Sequence, residues 1–275
     1  MTTSPPRLQR ASGESRVAFA VREGETRLAD LYQRDPCRVL FPDSEPGEPP
    51  QAVLVTTSGG VAGGDRLHMA VTAGPGARAA VATQAAEKIY RAAPGSDPCR
   101  IDVAITVDAD AVLEWLPQET IVFQGARLVR RTVAEVAAGA ALLGCEMVVL
   151  GRGASGERFG SGLLLDSWSV RRNGRLAWTD TLRVEGETPD GAGFGTANAL
   201  ATVIGVWDAP ESQFGRARAL LDDAGQARRD VRAGVTLVNG IMVARLLGEA
   251  TAVRAAVIGF LTAFRGRRLP RVWHV

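Results

Sequence analysis

The stretch Leu67-His-Met69-Ala-Val71-Thr-Ala73-Gly74-Pro75-Gly76-Ala-Arg-Ala-Ala-Val81-Ala-Thr83 decides how this chain is read. Leu67, Met69, Val71 and Ala73 recur at every second position, the period of a strand with one buried face. Gly74-Pro75-Gly76 stops it with turn chemistry, and a second strand runs on through Thr83. The device returns with Ile101, Val103, Ile105 and Val107, where Asp108-Ala109-Asp110 is the turn before Val112-Leu113. Outward from there, Val17, Phe19 and Val21 alternate ahead of Glu23-Gly24-Glu25, which turns that strand back. Residues 52–57, 120–123, 127–136 and 142–150 read as further strands. Asn173-Gly174, between 168–172 and 175–178, is a hairpin signal, since Asn-Gly tolerates the positive φ angles of a type I′ turn.

Helical spacing surfaces late. Phe214, Ala217, Leu220 and Leu221 predict one helix, and 241–247 with 251–264 predict one or two more, Thr251 serving as an N-cap. No βαβ alternation is visible, so the expected fold is a mainly β body with a few helices near the C-terminal end. The Pro-rich run 42–50 reads as a surface loop, because similar strands lie on both sides. Residues 1–15 are expected to form a disordered tail and 16–275 a single domain.

At 275 residues, with 46% hydrophobic and 23% charged side chains, the chain is long and apolar enough to bury a core without disulfides. Thirty-two basic against 30 acidic residues leave a formal charge of +2, too balanced for bulk attraction to nucleic acid. Lys88 is the only lysine. Cys37, Cys99 and Cys145 are an odd number at irregular separations, which suits reduced, buried thiols. With no signal-peptide pattern at the start and no apolar run approaching a membrane span, a cytoplasmic protein is expected. The longest apolar segment, 255–264, is expected to form part of a sticky surface that a partner covers.

Several chemistries lack their residues. Two histidines and no Cys-x-x-Cys or His-Glu-x-x-His leave no structural zinc pattern. The sole lysine follows Glu87, so no P-loop exists, and no Gly-x-Ser-x-Gly elbow occurs. Gly151-Arg-Gly153-Ala-Ser-Gly156 matches the dinucleotide fingerprint. That fingerprint works only where its last glycine opens a helix, and Glu157-Arg-Phe-Gly160-Ser-Gly162 is poor helix material. A glycine-rich turn between strands is the better reading.

Three segments carry chemistry, and two further carboxylates join them. Ser58-Gly-Gly-Val-Ala-Gly-Gly-Asp65 spaces two Gly-Gly pairs around two small residues and ends in a carboxylate that either caps a turn or faces a channel. Thr83-Gln-Ala-Ala-Glu87-Lys88-Ile-Tyr-Arg91 holds the lone lysine beside a glutamate. Leu113-Glu114-Trp-Leu-Pro-Gln-Glu119-Thr embeds two carboxylates among large apolar groups, where they either face water or are paired, protonated or metal-bound. Glu146 and Glu157 add carboxylates in apolar or glycine-rich settings.

The runs 58–67, 83–91, 113–121 and 150–159, with the closing Leu269-Pro-Arg-Val-Trp273, occur together in an order that resembles the urease accessory protein family UreD, also called UreH. The resemblance extends from about residue 16 to the end. It implies a β-helix-like superhelix of many short strands with about two C-terminal helices, and no enzymatic activity. It further implies a scaffold that docks on the urease apoprotein and binds UreF and, through it, UreG. On that reading no cofactor is tightly bound, and nickel crosses transiently through an internal channel. Oxygen ligands suit such a conveyor, because nitrogen and sulfur hold nickel more tightly. Asp65 is the first candidate for its path, with Glu87, Glu114, Glu119, Glu146 and Glu157 behind it. The alternative is a carboxylate-based hydrolase on a β-solenoid, using Glu114 and Glu119.

Overall fold

Alternating strands need an opposing apolar layer, and here each supplies it to the other across two facing sheets. A computed structural model describes residues 10–45, 47–186, 193–227 and 230–274. The first four strands are β1 (Ser12–Arg22), β2 (Glu25–Arg34), β3 (Cys37–Leu40) and β4 (Gln51–Thr56). Then come β5 (Arg66–Ala73), β6 (Arg78–Thr83), β7 (Glu87–Ile89), β8 (Cys99–Val107), β9 (Val112–Leu116) and β10 (Thr120–Val122). The second half contains β11 (Arg127–Val136), β12 (Ala141–Leu150), β13 (Leu163–Arg172), β14 (Arg175–Glu185) and β15 (Ala199–Val206). Helix α1 (Pro210–Ala227), β16 (Val231–Val238), β17 (Ile241–Gly248) and helix α2 (Ala250–Arg265) close the chain.

One sheet runs β14-β13-β11-β8-β5-β1-β2. The other runs β16-β17-β15-β12-β9-β6-β4-β3, with β10 and β7 branching from β12. The quoted stretch does not fold back on itself: Gly74-Pro75-Gly76 is a corner that carries the chain from β5 in one sheet to β6 in the other. The corners 108–111 and 137–140 do the same for β8 to β9 and β11 to β12. Each return then pairs parallel with the preceding coil, Arg66 beside Arg100, Leu128 beside Cys99 and Leu164.

Two cores result. Between the sheets lie Leu67, Val71, Ile105, Leu113, Leu128 and Leu164 with their neighbours. On the far side of the larger sheet, Cys145, Met147, Val203 and Met242 meet α2 through Val253, Val257, Phe260, Leu261 and Phe264. Each such side chain contributes about 1.5–3 kcal/mol on leaving water. β12 is therefore buried on both faces.

The structure corrects four expectations. Residues 241–247 form a strand, not a helix: Asn239 and Gly240 take positive φ (49° and 77°) and turn β16 back onto β17, an Asn-Gly hairpin signal like that at 173–174. Helix α2 is capped by Glu249, whose carboxylate accepts from the amides of Thr251 (2.9 Å) and Ala252 (3.1 Å), so Thr251 lies inside the helix. The apolar face of 255–264 is buried against the sheet rather than sticky. Ordered chain also begins within the expected 1–15 tail, because Ser12–Ser15 pair with 66–69; residues 1–9 lie outside the described residues. No helix among the described residues is long and apolar enough to cross a membrane.

Candidate functional site: a polar seam between the sheets

Period two places Arg130 and Thr132 on the same face of β11 as Leu128, and Asp166 on the same face of β13 as Leu164 and Trp168. All point into the inner core, and from the opposite sheet Glu146 of β12 points back. Arg130 donates from Nε to Asp166 Oδ1 (2.9 Å) and from Nη2 to Asp166 Oδ2 (2.5 Å). The same Nη2 lies 3.1 Å from Glu146 Oε2. Glu146 also accepts from the indole N–H of Trp168 (2.6 Å), the hydroxyl of Thr132 (3.0 Å) and the indole N–H of Trp115 (3.4 Å). Burial pushes the Glu146 carboxyl upward and Arg130 pulls it back; with four donors converging on it, the carboxylate is the form the cluster fits. Gly144, two positions before Glu146, makes the arrangement possible. A Cβ there would stand 2.9 Å from Ile204 and 3.2 Å from the Trp168 ring.

Thr120 extends this cluster sideways. Its hydroxyl accepts from Arg130 Nη1 (2.9 Å), and on β10 it is the register partner of Glu87 on β7. Glu87 accepts from the Thr56 hydroxyl (2.7 Å) at a cleft of about 190 Å³ lined also by Gly60, Met69, Gln84 and Lys88. Among the described residues no arginine or lysine forms a salt bridge with it. Burial raises its pKa, against smaller opposing pulls from Thr56 and Lys88. Its charge is felt nearby: burial first, then Asp65 and Glu87, push the Cys99 thiol up to about 12. Cys37 is pushed up to about 11 by burial and Glu87. All three cysteines are free and buried.

The other candidate carboxylates are occupied. Asp65 is buried and accepts the amides of Ala11 and Ala62, each at 2.8 Å, so it ties the first strand to the double-glycine loop. In that loop Gly59, Gly60 and Gly64 take positive φ; a Cβ at Gly60 would stand 2.4 Å from the Tyr90 ring. Glu114 is gripped by Arg265 (3.1 and 2.7 Å) and Arg267 (2.8 Å), and Glu119 by Arg254 (3.3 Å), which fasten the C-terminal segment to the larger sheet. Glu157 binds Arg152 (2.6 Å) and the amide of Gln124 (3.1 Å), which holds its pKa below the ordinary value. Among the described residues no three His, Cys, Asp or Glu side chains gather as a metal cage. Gly153–Ser155 make one 3-10 turn and the next element is β13, so the dinucleotide fingerprint lacks its helix.

Arg130, Asp166, Thr120 and Trp168 were not singled out from the sequence. The signal was there: Leu128, Arg130, Thr132, Ala134, Val136 puts an arginine on the apolar parity of a strand, and 164–170 does the same for Asp166.

A family model described as UreD urease accessory protein matches residues 11–274, the whole of this body. The chain belongs to the UreD family. It is 40% identical to the urease accessory protein UreD of Magnetococcus marinus, over 97% of this chain and 95% of that one. The UreD of Methylobacterium sp. (strain 4-46) is 42% identical over 99% and 98%, and that of Azorhizobium caulinodans 40% over 98% of each. These UreD relatives are named as accessory proteins, and the match embraces the seam, the cleft and the C-terminal helix alike.

Proposed function

We propose that this chain is a non-catalytic scaffold for urease maturation. In this reading it is a β-helix-like superhelix in the cytoplasm that docks on urease apoprotein, binds UreF and through it UreG, and passes nickel toward the urease active site. The observation that carries the reading is the family match across 11–274. Within it, Glu87 is the first proposed contact for the passing ion. It is an oxygen ligand at an open cleft, it lacks a salt-bridge partner among the described residues, and its burial disfavours the bare anion, so a cation there is welcome. Asp65, Glu114, Glu119, Glu146 and Glu157 are weaker contacts, since nickel would compete at each with arginines or backbone amides already in place. The hydrolase alternative gains no support from Glu114 and Glu119, which are held by arginines of the C-terminal segment.

The test is urease produced with UreF, UreG and either this chain or its Glu87→Gln variant. The expected result is unchanged co-purification with UreF and urease, but less nickel per urease and proportionally less activity. Full nickel loading with Glu87→Gln would remove Glu87 from the route. Lost co-purification would make it a structural residue.

A further inference from the structure

One end of the sandwich is left open. β2 closes the smaller sheet, and among the described residues nothing pairs with its outer edge. Its partner register with β1 sorts its side chains by face. Thr26, Leu28, Leu31 and Gln33 lie opposite Val21, Phe19, Val17 and Ser15 on the core side, while Glu25, Arg27, Asp30, Tyr32 and Arg34 lie on the outer side, with a bulge at Ala29. The larger sheet reaches this strand near its ends, where the amide of Arg78 donates to the Thr26 hydroxyl (2.9 Å) and that of Val39 to Gln33 Oε1 (2.9 Å), and leaves its middle uncovered. Leu28 and Leu31 stay 38% and 37% exposed on what should be a core-facing surface. An open, partly apolar edge is a template for another strand.

The sequence of β2 is complementary to itself. Antiparallel pairing centred between Ala29 and Asp30 sets Glu25 against Arg34 of a second copy, Arg27 against Tyr32, Leu28 against Leu31 and Thr26 against Gln33. Each of these four pairs joins residues of the same face, with the bulged Ala29 beside Asp30 at the centre, and Asp30 comes diagonal to Arg27 of the other copy. Two-fold symmetry makes each pair twice. The charged pair, the cation–aromatic pair and the leucine pair are all favourable cross-strand combinations. We propose that this chain forms a symmetric dimer by pairing β2 with β2 of a second copy, joining two smaller sheets into one continuous sheet.

Sedimentation velocity of the purified full chain over a wide concentration range tests this. The expected result is a reversible monomer–dimer equilibrium with no larger species, and slower hydrogen exchange in 25–34 as the dimer fills. Glu25→Arg and Arg34→Glu, each setting like charges together twice, should weaken association about tenfold. The double swap should bring it back toward the original value, and Leu28→Asp should abolish it. Circular dichroism controls for folding; all three positions are exposed. A chain that stays monomeric overturns the proposal, as does open-ended assembly, or a dimer that tolerates Leu28→Asp and both single swaps.

Discussion

Glu146 is a buried and Glu87 a half-buried acid of the larger sheet, joined through Thr120 and Arg130, yet their surroundings differ in kind. Glu146 meets one shared guanidinium, two indoles and a hydroxyl, and every one of those groups is fixed by packing between two sheets. Glu87 meets one hydroxyl and a cleft. A carboxylate locked by donors specifies how two layers sit together, because moving it would strand a charge in an apolar core. A carboxylate with one donor and an opening toward solvent is free to gain a proton or a cation. The difference separates the acid that builds the molecule from the acid available to a ligand.

The largest effect expected from breaking this contrast is Arg130→Met. It leaves Glu146 and Asp166 facing each other without their cation, at a cost of about 3–5 kcal/mol in urea unfolding. A loss well under that would mean the cluster is not electrostatically closed. Next is Gly144→Val, which should push Trp168 off Glu146 and cost about 1–3 kcal/mol, with a shift in tryptophan fluorescence as the second readout. Glu114→Gln weakens the grip on Arg265 and Arg267 and should cost about 1–2 kcal/mol, with hydrogen exchange rising in 250–274 and not in β5 or β8.

Glu87→Gln is the smallest and has the opposite sign. The folded chain holds this proton to higher pH than the unfolded chain does, so stability is greatest below the ordinary carboxyl value and falls as pH rises through the raised one. The variant should be more stable than the parent at neutral pH, and its unfolding free energy should lack that part of the fall. A pH profile identical to the parent's would show that Glu87 is not desolvated.

Alternation made the fold class readable, since Val17-Phe19-Val21 or Ile101–Val107 have no other economical arrangement. It did not reveal that the Gly74-Pro75-Gly76 corner changes sheets, because turn residues fix a bend and not the partner of the strand that follows. The helical reading of 241–247 failed for a different reason. In Ile-Met-Val-Ala-Arg-Leu-Leu both faces are apolar, as the two cores on either side of β17 require, so period two is erased and only Asn239-Gly240 marks the hairpin. The acids were visible as expensive groups, but the arginines that hold Glu114 and Glu119 lie more than a hundred residues away and no local pattern announces them. Arg130 was legible by parity alone.

The corners that carry β5 to β6, β8 to β9 and β11 to β12 are 74–77, 108–111 and 137–140, four residues in each case. The returns between coils, 84–98, 117–126 and 151–162, share no common length. Evolution of such a chain is therefore lopsided. A residue gained or lost in a corner shifts every following side chain to the opposite face of its strand, and selection would remove it at once. A return loop absorbs the same change without moving a register, so new surface can be grafted there while the two-sheet body stays as it is.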